Sequence, residues 1–235
     1  MKHFGPLDND PSKWLTPRRV HDYLKRMDKI PHRNEGESTL IEFVPHNAKT
    51  VLDLGTGNGR LIKLIKHKIP NSRFVALDFS SYMINNLRSE LNQDSSILIF
   101  QHDMNKPLPL KLGRFDLVVS SLAIHHLMDS RKKNLYNEIF TILKPGVVFC
   151  NLDHVASDSY KLRLEFRKAM GKRVAYKEHE RRLTKVDTQI KWLKHIGFTN
   201  VDCYWKWLEF ALMIGYKSYR NLSLSGHKYK QSSNL

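Results

Sequence analysis

Thr50-Val51-Leu52-Asp53-Leu54-Gly55-Thr56-Gly57-Asn58-Gly59-Arg60 is the stretch whose reading decides the fold. Val51, Leu52 and Leu54 form a short apolar run, the pattern of a parallel strand buried on both faces. Asp53 stands at its end, and three alternate glycines, Gly55, Gly57 and Gly59, follow at once. Beyond them, Leu61, Ile62, Leu64 and Ile65 are expected on one face of a helix, with Lys63, Lys66 and Lys68 elsewhere. The glycines therefore occupy a strand-to-helix turn, where a ligand can come close to bare backbone.

The dinucleotide fingerprint G-x-G-x-x-G would put its third glycine where Arg60 stands. The spacing Asp53-x-Gly55-x-Gly57-x-Gly59 instead resembles the first motif of class I S-adenosylmethionine-dependent methyltransferases. That family binds an adenosine carrying an amino acid and no pyrophosphate. The resemblance implies a cofactor-binding role for Asp53, Gly55, Gly57 and Gly59. A strand-end acid accepts hydrogen bonds from the cofactor's ammonium group, and the glycines keep side chains out of its way.

Two further apolar runs end in an acid. Residues 73–78 close on Asp78, nineteen residues beyond Gly59, where an acid that bonds ribose hydroxyls is found. Residues 96–103 close on Asp103; in the resembled family this acid accepts from the adenine amino group, and the next residue, Met104, lies against the ring. Between them, a helix capped by Ser80 or Ser81 carries Met83, Ile84, Leu87 and Leu91 as its buried stripe. Met83 serves either the core or the ribose and adenine edge. Asp53, Asp78 and Asp103 thus set three acceptors along one edge of a parallel sheet, the edge at which open α/β folds bind ligands.

Residues 115–121 read as a fourth strand running into a turn at 122–129. The stretch resembles the fourth motif of small-molecule methyltransferases, which implies a cofactor contact for Ser120 and Ser121. No proline follows either serine, against the Asn/Asp-Pro-Pro-Tyr form of exocyclic-amine enzymes, and the Pro-Cys nucleophile of cytosine C5 enzymes is absent. In the family the turn after this strand borders the transferable methyl group. That makes His125 the candidate base, with His154 second, since imidazole titrates near neutral pH. A helix over 135–143, a Lys144-Pro145-Gly146 turn and a fifth strand over 147–153 follow. Asn151, Asp153 and His154 finish that strand on the ligand side or merely cap it.

A helix opened by a Thr184–Asp187 capping box is expected to bury Ile190, Leu193 and Ile196 and to close at Gly197. Residues 201–207 and 210–216 read as an antiparallel pair, with Trp205 and Trp207 on one face and Tyr204 and Lys206 on the other. Length and this strand pair are also similar to the enzyme that makes carboxy-S-adenosylmethionine for tRNA wobble uridine.

With 235 residues, 41% hydrophobic and 26% charged, the chain can bury one sizeable core. The first ten residues carry no apolar h-region, and no apolar run reaches about 18 residues, which argues against secretion and a membrane span. Cys150 and Cys203 lack CxxC spacing and read as small core hydrophobes in a reducing cytoplasm. The net charge of +16 points to an anionic partner: RNA, an acidic surface or an acidic small substrate. Residues 159–182 hold nine Lys or Arg against three acids. In the family, insertions at this point form a substrate lid; a solvated helical face is the alternative.

The expected organisation is an N-terminal cap over 1–36, a methyltransferase domain over 37–217 with a lid at about 155–182, and a flexible tail over 218–235. Trp14, Tyr23 and Arg33 are cap residues that either reach the cofactor or pack the cap on the core. The resemblance implies an α/β, Rossmann-like methyltransferase fold: a seven-stranded, mostly parallel sheet with helices on both faces and a C-terminal antiparallel hairpin. It also implies S-adenosyl-L-methionine as cofactor and methyl transfer to a small acceptor, which the basic charge of the chain points to as anionic. The alternatives are an RNA-associated or tRNA-modifying enzyme and a non-catalytic adenosine-binding protein. No metal is expected: the Asp-Asn pair of metal-dependent relatives is missing near Asn151 and Asp153, and His125 and His126 would project about 100° apart on a helix. Acceptor identity and oligomeric state do not follow from the sequence.

Overall fold

The computed structural model describes residues 15–91, 94–171 and 182–219. Trp14, the first ten residues, Lys172, Arg173 and residues 220–235 lie outside them. Seven strands form one sheet: β1 (Thr50–Leu54), β2 (Arg73–Asp78), β3 (Ile97–Gln101), β4 (Phe115–Ser121), β5 (Leu143–His154), β6 (Thr199–Trp207) and β7 (Phe210–Lys217). Their order is β3-β2-β1-β4-β5-β7-β6. The first five are parallel, and β7 runs antiparallel between β5 and β6. This is the Rossmann-like arrangement that the strand-end motifs imply.

Among the described residues, seven helices accompany the sheet: α1 (Pro17–Met27), α2 (Arg33–Glu42), α3 (Arg60–Lys68), α4 (Ser81–Leu91), α5 (Asp129–Ile142), α6 (Tyr160–Ala169) and α7 (Val186–Ile196). Side chains of the central strands alternate between two cores, as the period of two requires. Val51, Val119 and Val148 join Leu40 of α2, Ile62 of α3 and Leu87 of α4 on one face. Leu52, Val118 and Phe149 join Ile139 of α5 and Leu193 of α7 on the other. Cys150 is fully buried in the first core, where burial pushes its thiol well up and leaves it inert. Among the described residues, no helix is long and apolar enough to cross a membrane.

Four local expectations are corrected. Leu64 is 38% exposed, because the buried stripe of α3 runs through Leu61, Ile62 and Ile65 and passes it by. β5 begins at Leu143, ahead of the Pro145-Gly146 pair. Thr184 does not cap α7: its hydroxyl bonds Asp129 at 2.5 Å and receives Lys132 Nζ at 2.7 Å, and Lys185 takes the cap position. In β6 the register slips between Cys203 and Trp205. This bulge breaks the alternation, so Tyr204 and Trp205 both pack against the first core, Tyr204 edge-on to Phe43 at 4.7 Å between ring centroids.

The glycine turn is closely packed at Gly55 and Gly59 and open at Gly57. Gly59 has φ 74°, and a Cβ there would meet Leu87 Cδ1 at 2.4 Å. Gly57 has φ 56°, yet a Cβ there would meet nothing within 4 Å. Both substitutions to alanine carry a left-handed backbone cost of roughly 1–2 kcal/mol. Only Gly59→Ala adds overpacking, typically about 1–3 kcal/mol. Urea unfolding should therefore show Gly59→Ala clearly less stable than Gly57→Ala; equal midpoints would contradict this packing.

Candidate functional site

The site grows from the two turns that follow β1 and β2. The backbone N–H groups of Gly55 and Thr56 both donate to the Leu77 carbonyl, at 2.8 and 2.9 Å. Gly57 N–H donates to Asp78 Oδ2 at 2.8 Å, and Ser80 N–H to Asp78 Oδ1 at 2.8 Å. One carboxylate therefore bridges both turns. Burial raises the Asp78 pKa, and the Ser80 and Gly57 amides act against that rise.

A cavity opens at this edge of the sheet. Gly55, Gly57, Asp78, Met83, Asp103 and Met104 line one end. Ser121, His125, His126 and His154 line the other, with Tyr23, Met27 and Ile30 from the α1 region. Asp103 accepts from the backbone and side-chain amides of Asn105, both at 2.9 Å. The Ser121 hydroxyl lies 3.5 Å from Glu37 Oε1. Leu122, next along the chain and also on the cavity wall, has φ 55°, a strained backbone of the kind that collects at ligand sites.

Three of the expected residues sit below the cavity floor instead of on it. Asp53 is 1% exposed and accepts from Thr56 Oγ1 at 2.7 Å. Burial pushes its pKa up to about 7, the Thr56 bond opposes this, and the charges of Asp78 and Glu37 add to it. The Ser120 hydroxyl donates to the Leu54 carbonyl at 2.8 Å. Gly59 is packed under Leu87. Arg33, a candidate pocket residue, pairs instead with buried Glu37 at 2.7 Å, and Glu37 also takes Arg60 Nε at 2.7 Å. The cap helix α2 is thereby tied to the start of α3. Sequence periodicity could not single out Glu37, whose partners are four and twenty-three residues away.

The histidines come from a short 3-10 turn at Ile124–His126 and from the end of β5. His125 and His126 do not diverge as helical neighbours would: their ring centroids are 4.1 Å apart. His125 is 4% exposed, with Nδ1 2.6 Å from Asp153 Oδ1. A carboxylate acceptor there fixes the proton on Nδ1 and leaves Nε2 of the neutral ring as a base. Nε2 is buried and has no partner among the described residues. Asp153 also accepts from the backbone N–H of His154 at 2.9 Å. Burial and the neighbouring His125, Arg182 and Arg19 hold His126 well below its ordinary pKa, so it stays neutral. Arg182 Nη1 donates to the His126 carbonyl at 2.9 Å, and Lys132 Nζ to the Arg182 carbonyl, which anchors the residues following the basic insertion on this turn. Among the described residues, no group of three or more His, Cys, Asp or Glu is placed to hold a metal ion.

The cavity can be tested against the cofactor that the motifs imply. At Gly57 the space a side chain would fill is open, so a ligand can lie on the backbone there. Asp78 and Asp103 both reach the wall. Backbone amides take part of the Asp78 carboxylate, which has about four lone-pair sites, and leave acceptor capacity for a ribose hydroxyl. Met83 and Met104 offer apolar contact beside them. These residues fit an adenosine carrying a charged amino-acid end.

Comparison with known proteins agrees with this geometry. Residues 51–146 match the family model described as a methyltransferase domain. The chain is 33% identical over 116 residues to the malonyl-[acyl-carrier protein] O-methyltransferase of Marinomonas sp. (strain MWYL1), a match covering 48% of this chain and 42% of that relative. It thus spans less than half of that relative's length. It is 22% identical over 222 residues to the carboxy-S-adenosyl-L-methionine synthase of Helicobacter hepaticus, covering 83% of this chain and 90% of that protein. Among solved structures, an O-methyltransferase family protein from Burkholderia thailandensis superposes with a TM-score of 0.68 at 15% identity, covering 88% of this chain and 62% of that one; this likeness is one of fold. The matched domain over residues 51–146, the strand order and the glycine turn together support a class I S-adenosylmethionine-dependent methyltransferase.

Proposed function

We propose that the chain binds S-adenosylmethionine at the Gly57 end of the cavity and transfers its methyl group to a small acceptor at the histidine end, with His125 as general base. The observation that carries this reading is the continuity of the two ends: Gly57, Asp78 and Asp103 share one cavity with His125, whose Nε2 has no partner among the described residues. When bound, the cofactor supplies a methyl group on a positively charged sulfur. Asp78 holds the ribose, Asp103 the adenine amino group, and the Gly55–Gly57 backbone the amino-acid end. Asp53 and Ser120 act from below the floor, by holding the turn and β1 in place. His125 takes the acceptor's proton, and Asp153 keeps its ring in the required tautomer and stabilises the cation that forms. Methyl transfer needs little else beyond in-line positioning of the acceptor.

The basic insertion favours an anionic acceptor. Arg167 and Lys168 close the last turn of α6, next to Met170 on the cavity wall. The same charge supports RNA as a second reading, and salt separates the two. Replacing Arg167 and Lys168 by glutamine should raise KM for a small anion more than it lowers kcat, with the effect shrinking at 1 M salt, where the Debye length is about 3 Å. Binding of RNA would instead fall steeply on a log–log plot against salt. No change in KM, kcat or RNA affinity would leave the segment as a solvated face.

Asp78→Ala should weaken cofactor binding by about 1.5–3 kcal/mol, the worth of hydrogen bonds to a charged group. Calorimetry checks this, and an unchanged affinity would remove the ribose assignment. His125→Ala should lower turnover by roughly 10² to 10⁴ while cofactor affinity stays nearly constant. Retained turnover in a labelled-methyl assay on cell extract would show that the acceptor needs no base at this position.

A further inference from the structure

Residues 102–109, which follow β3, belong to no helix or strand, yet Asp103, Met104 and Asn105 from this loop line the cavity. Two side chains of α5 hold the loop from behind. Arg131 and Glu138 stand seven residues apart, about two helical turns, and so share one face of α5. They pair through two bonds, Nη1 to Oε1 at 2.6 Å and Nη2 to Oε2 at 2.7 Å. The guanidinium also donates from Nε to the Met104 carbonyl at 2.6 Å and from Nη2 to the Lys106 carbonyl at 2.9 Å. Glu138 Oε2 accepts the Leu108 N–H at 2.9 Å. Arg131 is 12% and Glu138 23% exposed, so water and salt weaken these bonds little.

One peptide unit joins this clamp to Asp103. The Met104 carbonyl takes Arg131 Nε, while the N–H of the same peptide, that of Asn105, donates to Asp103 Oδ1 at 2.9 Å. A trans peptide is planar and points its C=O and N–H in opposite directions, so holding the carbonyl aims the amide. The Asn105 side-chain amide bonds Oδ1 as well, at 2.9 Å, and the Lys106 N–H returns to the Asp103 carbonyl at 2.9 Å. Both bonds from Asn105 therefore fall on one carboxylate oxygen. We propose, resting on the reading that the cavity binds S-adenosylmethionine, that Arg131 and Glu138 are positioning residues for base selectivity: they set the Met104–Asn105 peptide, which turns Asp103 so that Oδ2 meets the adenine amino group. An ionised carboxylate only accepts hydrogen bonds, and an amino group donates them. A base with an oxo group at that position offers lone pairs instead and is turned away. The clamp works through Asp103 and touches neither the ligand nor the reacting atoms. Arginine suits the task because its planar fork serves two carbonyls and a carboxylate at fixed angles, where lysine offers a point charge.

The test measures, by calorimetry on the full chain, affinity for S-adenosylhomocysteine and for S-inosylhomocysteine, which differ at the base alone. The native chain should prefer the adenosyl form by about tenfold or more, the worth of a hydrogen bond to a charged group. Asp103→Ala should erase most of that preference. Arg131→Ala should lower it about three- to tenfold, within the range of coupling between residues of one network, and Arg131→Lys should lower it less. Added to Asp103→Ala, Arg131→Ala should change the ratio no further, because its effect passes through Asp103. A clamp that only stabilises the fold would weaken both ligands alike and leave the ratio where it was. Should Arg131→Ala misfold, Arg131→Lys carries the test. An unchanged ratio in the folded Arg131 variants, a further loss when Arg131→Ala is added to Asp103→Ala, or a native chain with no preference for the adenosyl form would overturn the proposal while the methyl-transfer reading stands. A chain that binds neither S-adenosylmethionine nor S-adenosylhomocysteine would overturn that reading, and this one with it.

Discussion

The Asp78 carboxylate holds two turns at once, and the site depends on that clamp. One oxygen takes the Gly57 amide after β1, and the other takes the Ser80 amide at the start of α4. With the Leu77 carbonyl accepting from Gly55 and Thr56, the two turns are stitched together at the edge where the cavity opens. Such amides would otherwise need water or a ligand, since buried backbone donors are seldom left unpaired. The clamp therefore has two duties. It fixes the backbone on which a ligand lies, and it presents its remaining lone pairs to that ligand.

The opposite end of the cavity obeys a different rule. β5 is apolar through Phe149 and Cys150 and then carries Asn151, Asp153 and His154, all buried. Polar groups at this depth cost stability unless they are bonded, and most of these are. Asn151 reaches Tyr136, which in turn bonds Gln189. Asp153 holds both His125 and the His154 amide. His154 meets Glu209 from the turn between β6 and β7. Among the described residues two atoms of this network have no partner, Asn151 Oδ1 and His125 Nε2, and of these two residues His125 lines the cavity. Natural networks leave such atoms mainly where a ligand completes them, which is why the chemistry is assigned there.

The sheet was legible because its signals are local. Apolar runs that end in an acid, a glycine turn and the helix stripes each occupy a few consecutive residues, and they yielded the strand set and the carboxyl edge. The candidate site was legible only in part. Gly57, Asp78, Asp103, Met104 and His125 reach the cavity, while Asp53 and Ser120 face the turn and β1. A strand-end position tells which edge a residue is on, but not whether its side chain is used up beneath the floor. The partners that give the histidines their chemistry lie far away in sequence: Asp153 is 28 residues from His125, and Glu209 is 55 from His154. The β6 bulge shows the same limit, since alternation predicts faces only while the register holds.

The central claim is that the cofactor and the acceptor share one cavity across the ends of β1, β2 and β4. A crystal structure of the full chain with S-adenosylhomocysteine tests it most directly. The account predicts the ribose hydroxyls within hydrogen-bond distance of Asp78, the amino-acid end over Gly57, and the sulfur pointing toward His125 Nε2. Density for the ligand at any other place on the chain, or a ribose bonded away from Asp78 with the sulfur turned from the histidines, would contradict it.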